Sequence, residues 1–525
     1  MTLHSPFSRS SLRSYLSIIL LITNLGLYAL LVIRDTIPIT GLILLGLFWI
    51  LHWAVSKHLS VRSPVDLPVL GLAALLLVSL VISIDHGLTL PKVYGLVLSI
   101  SLFYWLVNYL SSISRLWLVT LGLALLALAL PLVCLLAADW SGSSFTLPSR
   151  IVNRLTASVP FLGRLSAGGG IHVNTVGGTL TFFVPLLVSL LWDGGSLRRT
   201  FFRNLKNARA VNILLKLLVL AALALTLAVL ALTQSRASYL GAGTGLLVLL
   251  IWKRPRFFWL IPLLMVIFFA ALLIFANGDL LDFISILDTS REGDTVQVRL
   301  DYWKRTVFLI QDFPISGVGL GTYGKVFDEL YTFTPFASSG GPSFYAHNMY
   351  LAVAASMGIP ALVLYLALFA GCGLMVYYAF KKVRSAARVL LIGLSCGVLA
   401  NLIYGLWDNY LPGEKLAIVL WIFLGVIAAI SLHQQQFAHR QHAEPHASAE
   451  LSGEKSENTA VRIEFRAALI GIGAWLLISL AALAFTNIAA YFSLAVAAVG
   501  GMLLGWLLTR VYNQSNNNLF SLRTT

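Results

Sequence analysis

Residues 211–252 read VNILLKLLVLAALALTLAVLALT (211–233), QSRAS (234–238) and YLGAGTGLLVLLIW (239–252), two apolar runs parted by a short polar break. An α-helix of about 20 apolar residues crosses roughly 30 Å of hydrocarbon with its backbone hydrogen bonds satisfied internally. The stretch is therefore a transmembrane hairpin, and its break puts Ser235 and Arg236 at one membrane surface. The pattern repeats in both directions, with spans starting near Tyr15, Pro38, Leu67, Pro91, Leu116, Gly177, Val211, Tyr239, Phe257, His347, Ala386, Lys415, Ala467 and Asn487. The predicted fold is an all-α polytopic membrane protein with about 12 core spans and 2 C-terminal ones.

Composition agrees with that reading and excludes most others. The 525 residues are 58% hydrophobic and 11% charged, with a mean hydropathy of +0.86. A soluble domain has about a quarter of its residues charged. The net charge of +15 does not point to nucleic acid, because its distribution sets topology instead. With the N-terminus in the cytoplasm, inner turns collect Arg198, Arg199, Arg203, Lys206 and Arg209, then Lys253, Arg254 and Arg256, then Lys381, Lys382, Arg384 and Arg388. Anionic lipid of the inner leaflet is the expected nonspecific partner of these groups. Arg9 and Arg13 precede the first span without a small-residue cleavage site, so that span is expected to be retained. Cys134, Cys372 and Cys396 lie in apolar spans at unpaired spacing, which supports neither a disulfide framework nor a zinc site.

The chain divides into a transmembrane domain at 1–432, a polar cytoplasmic linker at 433–466 and a two-helix membrane appendix at 467–525. The linker carries His433, His439, His442 and His446 at irregular spacing, which reads as a tether. Two outer loops, 139–176 and 277–346, are too long and too aromatic to be simple connections. In the second, Leu300, Trp303, Val307 and Ile310 form one apolar stripe at helical spacing, with Arg299, Asp301, Lys304 and Arg305 between them. This predicts an amphipathic helix on the outer membrane surface. Gly319, Gly321 and Gly324 formally satisfy a dinucleotide-binding spacing, but no βαβ unit surrounds them, and a tight backbone turn is the better reading.

Transporters driven by protons or ions keep carboxylates inside their helices. Here Asp35, Asp85, Asp139, Asp193 and Asp408 all fall at span ends, so a flippase or transporter is the weaker alternative. A noncatalytic scaffold is the other, and it would not require converging Arg and His. What the outer face does offer is Arg164 ahead of Asn174, the Ser235-Arg236 turn, Arg299, and Tyr345-Ala-His347-Asn348-Met-Tyr350-Leu351 at the head of the tenth span. His347 is the group there able to exchange a proton near neutral pH. Several forked guanidinium groups on one side suit a phosphate or diphosphate. Each arginine taken alone also reads as a lipid-headgroup anchor.

These residues resemble the O-antigen ligase and O-antigen polymerase family, membrane glycosyltransferases of the GT-C type. Arg164 with Asn174 is similar to the family's Arg…Asn element, although Val173 stands where the family often has proline. Ser235-Arg236 resembles its Ser-Arg motif. Arg299-Leu-Asp-Tyr-Trp303, followed by Pro314-Ile-Ser-Gly317-Val-Gly319-Leu-Gly321, is similar to its Arg-x-x-x-Trp and glycine run, and His347-Asn348-Met-Tyr350-Leu351 to its His-Asn-x-x-Leu helix start. The resemblance implies transfer of a glycan from undecaprenyl diphosphate to a lipid, glycan or protein acceptor, outside the bacterial cytoplasmic membrane. It further implies inversion at the sugar and no metal or other cofactor. The implied catalytic residues are His347, Arg236 and Arg299, with Arg164, Asn174, Ser235, Trp303, Asn348, Tyr350, Gly319 and Gly321 binding substrate. Ligase and polymerase differ only in the acceptor, and no residue decides between them.

Overall fold

The computed structural model describes residues 9–140, 171–201, 207–276, 296–331 and 346–434. Arg164, the C-terminal pair of spans and nearly all of the 433–466 linker lie outside them. Helices α1 (Arg9–Arg34), α2 (Ile39–Ser56), α3 (Asp66–Ile82), α4 (His86–Tyr109) and α5 (Ile113–Ala137) come first. A two-residue strand β1 (Ala138–Asp139) then pairs in parallel with β2 (Ile171–His172). Next are α6 (Val173–Leu180), α7 (Phe183–Trp192), the short α8 (Gly194–Phe201), α9 (Ala208–Thr233) and α10 (Arg236–Lys253). A 3-10 turn at Pro255–Trp259 leads into α11 (Leu260–Ala276). After it come α12 (Val296–Asp312), α13 (Tyr323–Leu330), α14 (Met349–Lys382), α15 (Ser385–Tyr404) and α16 (Ile418–Leu432).

Among the described residues eight helical segments are long and apolar enough to cross a membrane, and Asp66–Ile82, Pro255–Ile267 and Ile418–Leu432 are shorter apolar helices. The hairpin of residues 211–252 forms as its sequence demands. Gln234 takes a left-handed φ of 53°, and the Ser235 hydroxyl caps α10 by accepting from the Ser238 amide at 3.4 Å. Where α10 meets α15 a side chain at Gly241 would collide with the Ala400 carbonyl, so the small residue permits the close crossing.

The turns collect at two ends. At one, the Asn108 side chain ties down Val61 and Leu59, Thr200 accepts from the Ala386 amide, and Lys253 pairs with Asp193. Arg62, Arg115, Arg198, Arg199, Lys381, Lys382 and Arg384 gather there. At the other end Lys415 pairs with Asp35 at 2.7 Å, Lys92 with Glu414 at 2.6 Å and Lys325 with Asp85 at 3.3 Å. Opposite charges are matched at this second end, and it carries the site.

Two features of α12 to α14 position that site. The stripe of Leu300, Trp303, Val307 and Ile310 does form one face of α12, but it is turned onto α14, with Val307 and Ile310 buried, while Phe308 is 48% exposed. An apolar helix face is satisfied as well by protein as by lipid, so the periodicity is right and the partner different. Helix α14 is broken at Gly358, whose φ of 83° and following Pro360 interrupt the hydrogen-bond ladder. The glycine run fills the break. Val318 N donates to Ala355 O at 2.9 Å, Gly319 N to Ser356 O at 3.0 Å and Ile359 N to Pro314 O at 2.8 Å. A side chain at Gly358 would collide with the Ile315 carbonyl, and one at Gly317 with the Met357 amide.

Candidate active site

Helix α12 supplies three side chains, Arg299 and, one turn on, Tyr302 and Trp303. Arg299 Nη1 donates to the Trp407 carbonyl at 2.9 Å, and Trp303 Nε1 donates to the His347 carbonyl at 3.3 Å. The Tyr302 ring lies nearly parallel to the His347 ring, with centroids 6.0 Å apart. Trp303 and Trp407 pack at 5.8 Å. One helix thus grips both segments that carry the remaining groups.

Those segments, 346–350 and 402–409, are also bound to each other. Asn348 caps α14, its Oδ1 accepting from the amides of Tyr350 and Leu351, both at 3.0 Å. Its Nδ2 donates to Leu406 O at 2.9 Å, and its backbone N–H donates to Asn409 Oδ1 at 3.2 Å. Met349 N donates to Gly405 O at 2.7 Å and the Tyr350 hydroxyl to Leu402 O at 3.0 Å. His347, at the corner, adopts a left-handed φ of 48°. That conformation is uncommon outside glycine and requires support from its surroundings, which this stitching gives.

The result is a pair the sequence did not announce. His347 Nδ1 stands 3.5 Å from Asp408 Oδ1; the carboxylate side chain is 6% exposed and the imidazole 20%. Burial by itself pushes the Asp408 carboxyl up. The His347 ring against it, with the charges of Arg299 and His172, outweighs burial and holds it at about 2, below its ordinary 3.8. Asp408 is thus a buried anion at neutral pH. Its Oδ1 accepts from the Asn409 amide at 2.8 Å, while Oδ2, the nearby Asn409 Nδ2 and His347 Nδ1 itself are buried without a hydrogen-bond partner, so the pair is an ion-pair approach and not a closed hydrogen bond. Such atoms are costly and call for an explanation beyond packing.

The other predicted residues divide. Asn174 is buried on α6, where its carbonyl accepts from Tyr404 at 2.8 Å and its amide donates to His172 Nδ1 at 3.2 Å. That ties α6 to the segment bearing Asp408. Ser235 is buried as a cap, and Arg236 follows it, exposed on the first turn of α10. This turn reaches the site across α6, since a side chain at Gly177 would strike Ser238 and one at Gly178 the Tyr404 ring. Gly319 and Gly321, with φ of 101° and 91°, pack against Ser83 and Leu88 and not against the His–Asp pair. His347, Arg299, Trp303, Asn348 and Tyr350 come together directly.

Asp408, Trp407, Tyr302 and His172 join them without having been singled out. The signal for the first two was the run Trp407-Asp408-Asn409-Tyr410, unusually polar and aromatic for a turn between two apolar helices. Among the described residues no three His, Cys, Asp or Glu side chains are grouped to hold a metal ion. A histidine oriented by a buried carboxylate, beside an arginine, is an arrangement for proton abstraction next to an anion.

Fold and site together define a polytopic membrane protein with a histidine–carboxylate pair at one end of its helical bundle. Residues 220–366 match the family model described as O-Antigen ligase, so that stretch of the chain is similar to this family. The matched stretch holds Arg236, Arg299, Trp303, Gly319, Gly321, His347, Asn348 and Tyr350; Asn174 and Asp408 lie outside it. No curated protein matches the chain.

Proposed function

We propose that the protein transfers a glycan from an undecaprenyl-diphosphate carrier to an acceptor hydroxyl at the outer face of the bacterial cytoplasmic membrane, with inversion and without a metal. The observation that carries this reading is the His347–Asp408 pair beside Arg299. With Nδ1 turned to the carboxylate, the neutral ring holds its proton there and presents Nε2 as the free base. Nε2 takes the proton of the acceptor hydroxyl as its oxygen bonds to the anomeric carbon. The bond from that carbon to the phosphate oxygen breaks, and its electron pair leaves on the diphosphate. Asp408 stabilises the imidazolium that forms. Arg299 and Arg236, with Arg164, stabilise the departing diphosphate, whose low basicity makes charge neutralisation more useful than protonation.

Asn348, Tyr350, Asn174 and Ser235 act through main-chain bonds that hold these groups in place, and Gly319 and Gly321 allow the turn beneath them. The test is transfer by purified protein from a synthetic undecaprenyl-diphosphate glycan, with and without EDTA. Transfer that survives EDTA is expected. Loss on chelation with rescue by Mg²⁺ would refute the metal-free mechanism, and the absence of transfer to any lipid, glycan or protein hydroxyl would refute the function.

A further inference from the structure

The chemistry above leaves the Trp407 side chain unused. Its backbone is committed, the carbonyl to Arg299 and the amide to Tyr404 O at 3.0 Å, but neither bond involves the indole. Four other indoles spend their N–H inside the fold: Trp49 on Ser101, Trp105 on Ser17 O, Trp140 on Leu135 O and Trp421 on Pro412 O. Trp303 spends its own on His347 O. Among the described residues no hydrogen bond takes up Nε1–H of Trp407, and that atom is not among the buried unpartnered ones. The ring is half-buried, braced by Trp303 at 5.8 Å and a 43° tilt, and adjoins Asp408 in sequence.

A braced aromatic face with an open donor at its edge fits a sugar. The C–H groups of a pyranose carry partial positive charge and meet the negative face of an indole, while hydroxyls at the ring edge accept hydrogen bonds. Resting on the function proposed above, we propose that Trp407 is the sugar-stacking residue of this site. Its ring covers the apolar face of a pyranose, its Nε1–H donates to a hydroxyl, and the sugar is held beside His347. The pyranose belongs either to the acceptor or to the donor's carrier-proximal unit. An indole serving only as a membrane-interface anchor would act on stability and not on saccharide affinity.

The test uses the purified full chain and its Trp407→Leu and Trp407→Phe variants, varying acceptor at saturating donor and then donor at saturating acceptor. Trp407→Leu, which keeps apolar bulk against Trp303 without an aromatic face, is expected to raise one of the two KM values about tenfold, with kcat within about threefold. Trp407→Phe is expected to hold that KM within about threefold of wild type, because only the donor is lost. The KM that moves identifies the source of the sugar. Unmoved KM values in an active Trp407→Leu protein, or equal losses in Leu and Phe, would overturn the assignment. If the Leu variant does not fold, Trp407→Met takes its place under the same criteria. A wild type without transfer overturns both this inference and the function it rests on, whereas an active wild type with insensitive variants overturns only the role of Trp407.

Discussion

Two loops are sewn onto α14 by main-chain hydrogen bonds, and they end in opposite states. Residues 314–319 fill the break at Gly358 with three backbone bonds and place no ionisable side chain there. Residues 402–409 are bound to the head of the same helix as tightly, yet they bury a carboxylate with one oxygen unpartnered, next to an unpartnered amide and a histidine in a left-handed conformation. The first seam completes the fold. The second keeps unsatisfied polar groups in place, as a fold does where those groups have a partner to meet.

Substitutions at the two seams should therefore fail differently. The largest effect is expected at His347: His347→Ala lowers kcat by about 10² to 10⁴, the usual worth of a general base, while donor binding persists. Assays that separate kcat from KM will show it, and wild-type turnover in that variant would remove His347 from the chemistry. Arg299→Lys comes next, with a loss of about 10² in kcat as the fork is replaced by a point charge. Asp408→Asn should lower kcat as well, by less than His347→Ala, because the imidazolium loses its counter-charge. An unchanged kcat would separate Asp408 from His347.

The sign of the stability effect follows from the same carboxylate. A folded value of about 2 against an ordinary 3.8 means that Asp408 stabilises the fold above pH 3.8, and that this contribution is lost as pH falls toward 2. Asp408→Asn should flatten that stretch of a stability-versus-pH curve measured in detergent. The smallest catalytic effect is expected at the other seam. Gly358→Ala costs about 1–3 kcal/mol of stability through its positive φ and the Ile315 carbonyl, seen as a lower melting temperature. The folded fraction should turn over normally, and a kcat loss there as large as that of Asp408→Asn would erase the distinction between the two seams.

Much of this was legible in the chain. The apolar runs dictate helices, the 234–236 break dictates a hairpin, and His347-Asn348 reads as the head of a span because an apolar run follows it. The glycine run was legible as a turn. Its destination was not, since a positive φ says nothing about which helix break receives it. Asp408 was passed over for a physical reason: at the end of an apolar run a carboxylate reads as solvated, whereas it is buried in a turn whose Leu406 and Asn409 are held by Asn348, about 60 positions away. The α12 stripe likewise meets α14 through a contact between segments distant in sequence, which its periodicity does not specify.

The most direct measurement is a double-mutant cycle on transfer between His347→Ala and Asp408→Asn, in protein verified as folded. If Asp408 acts through His347, the double variant will match His347→Ala within about twofold, because the carboxylate has nothing left to orient. Losses that multiply instead would mean the two residues work independently, and the histidine–carboxylate pair would not be the catalytic unit.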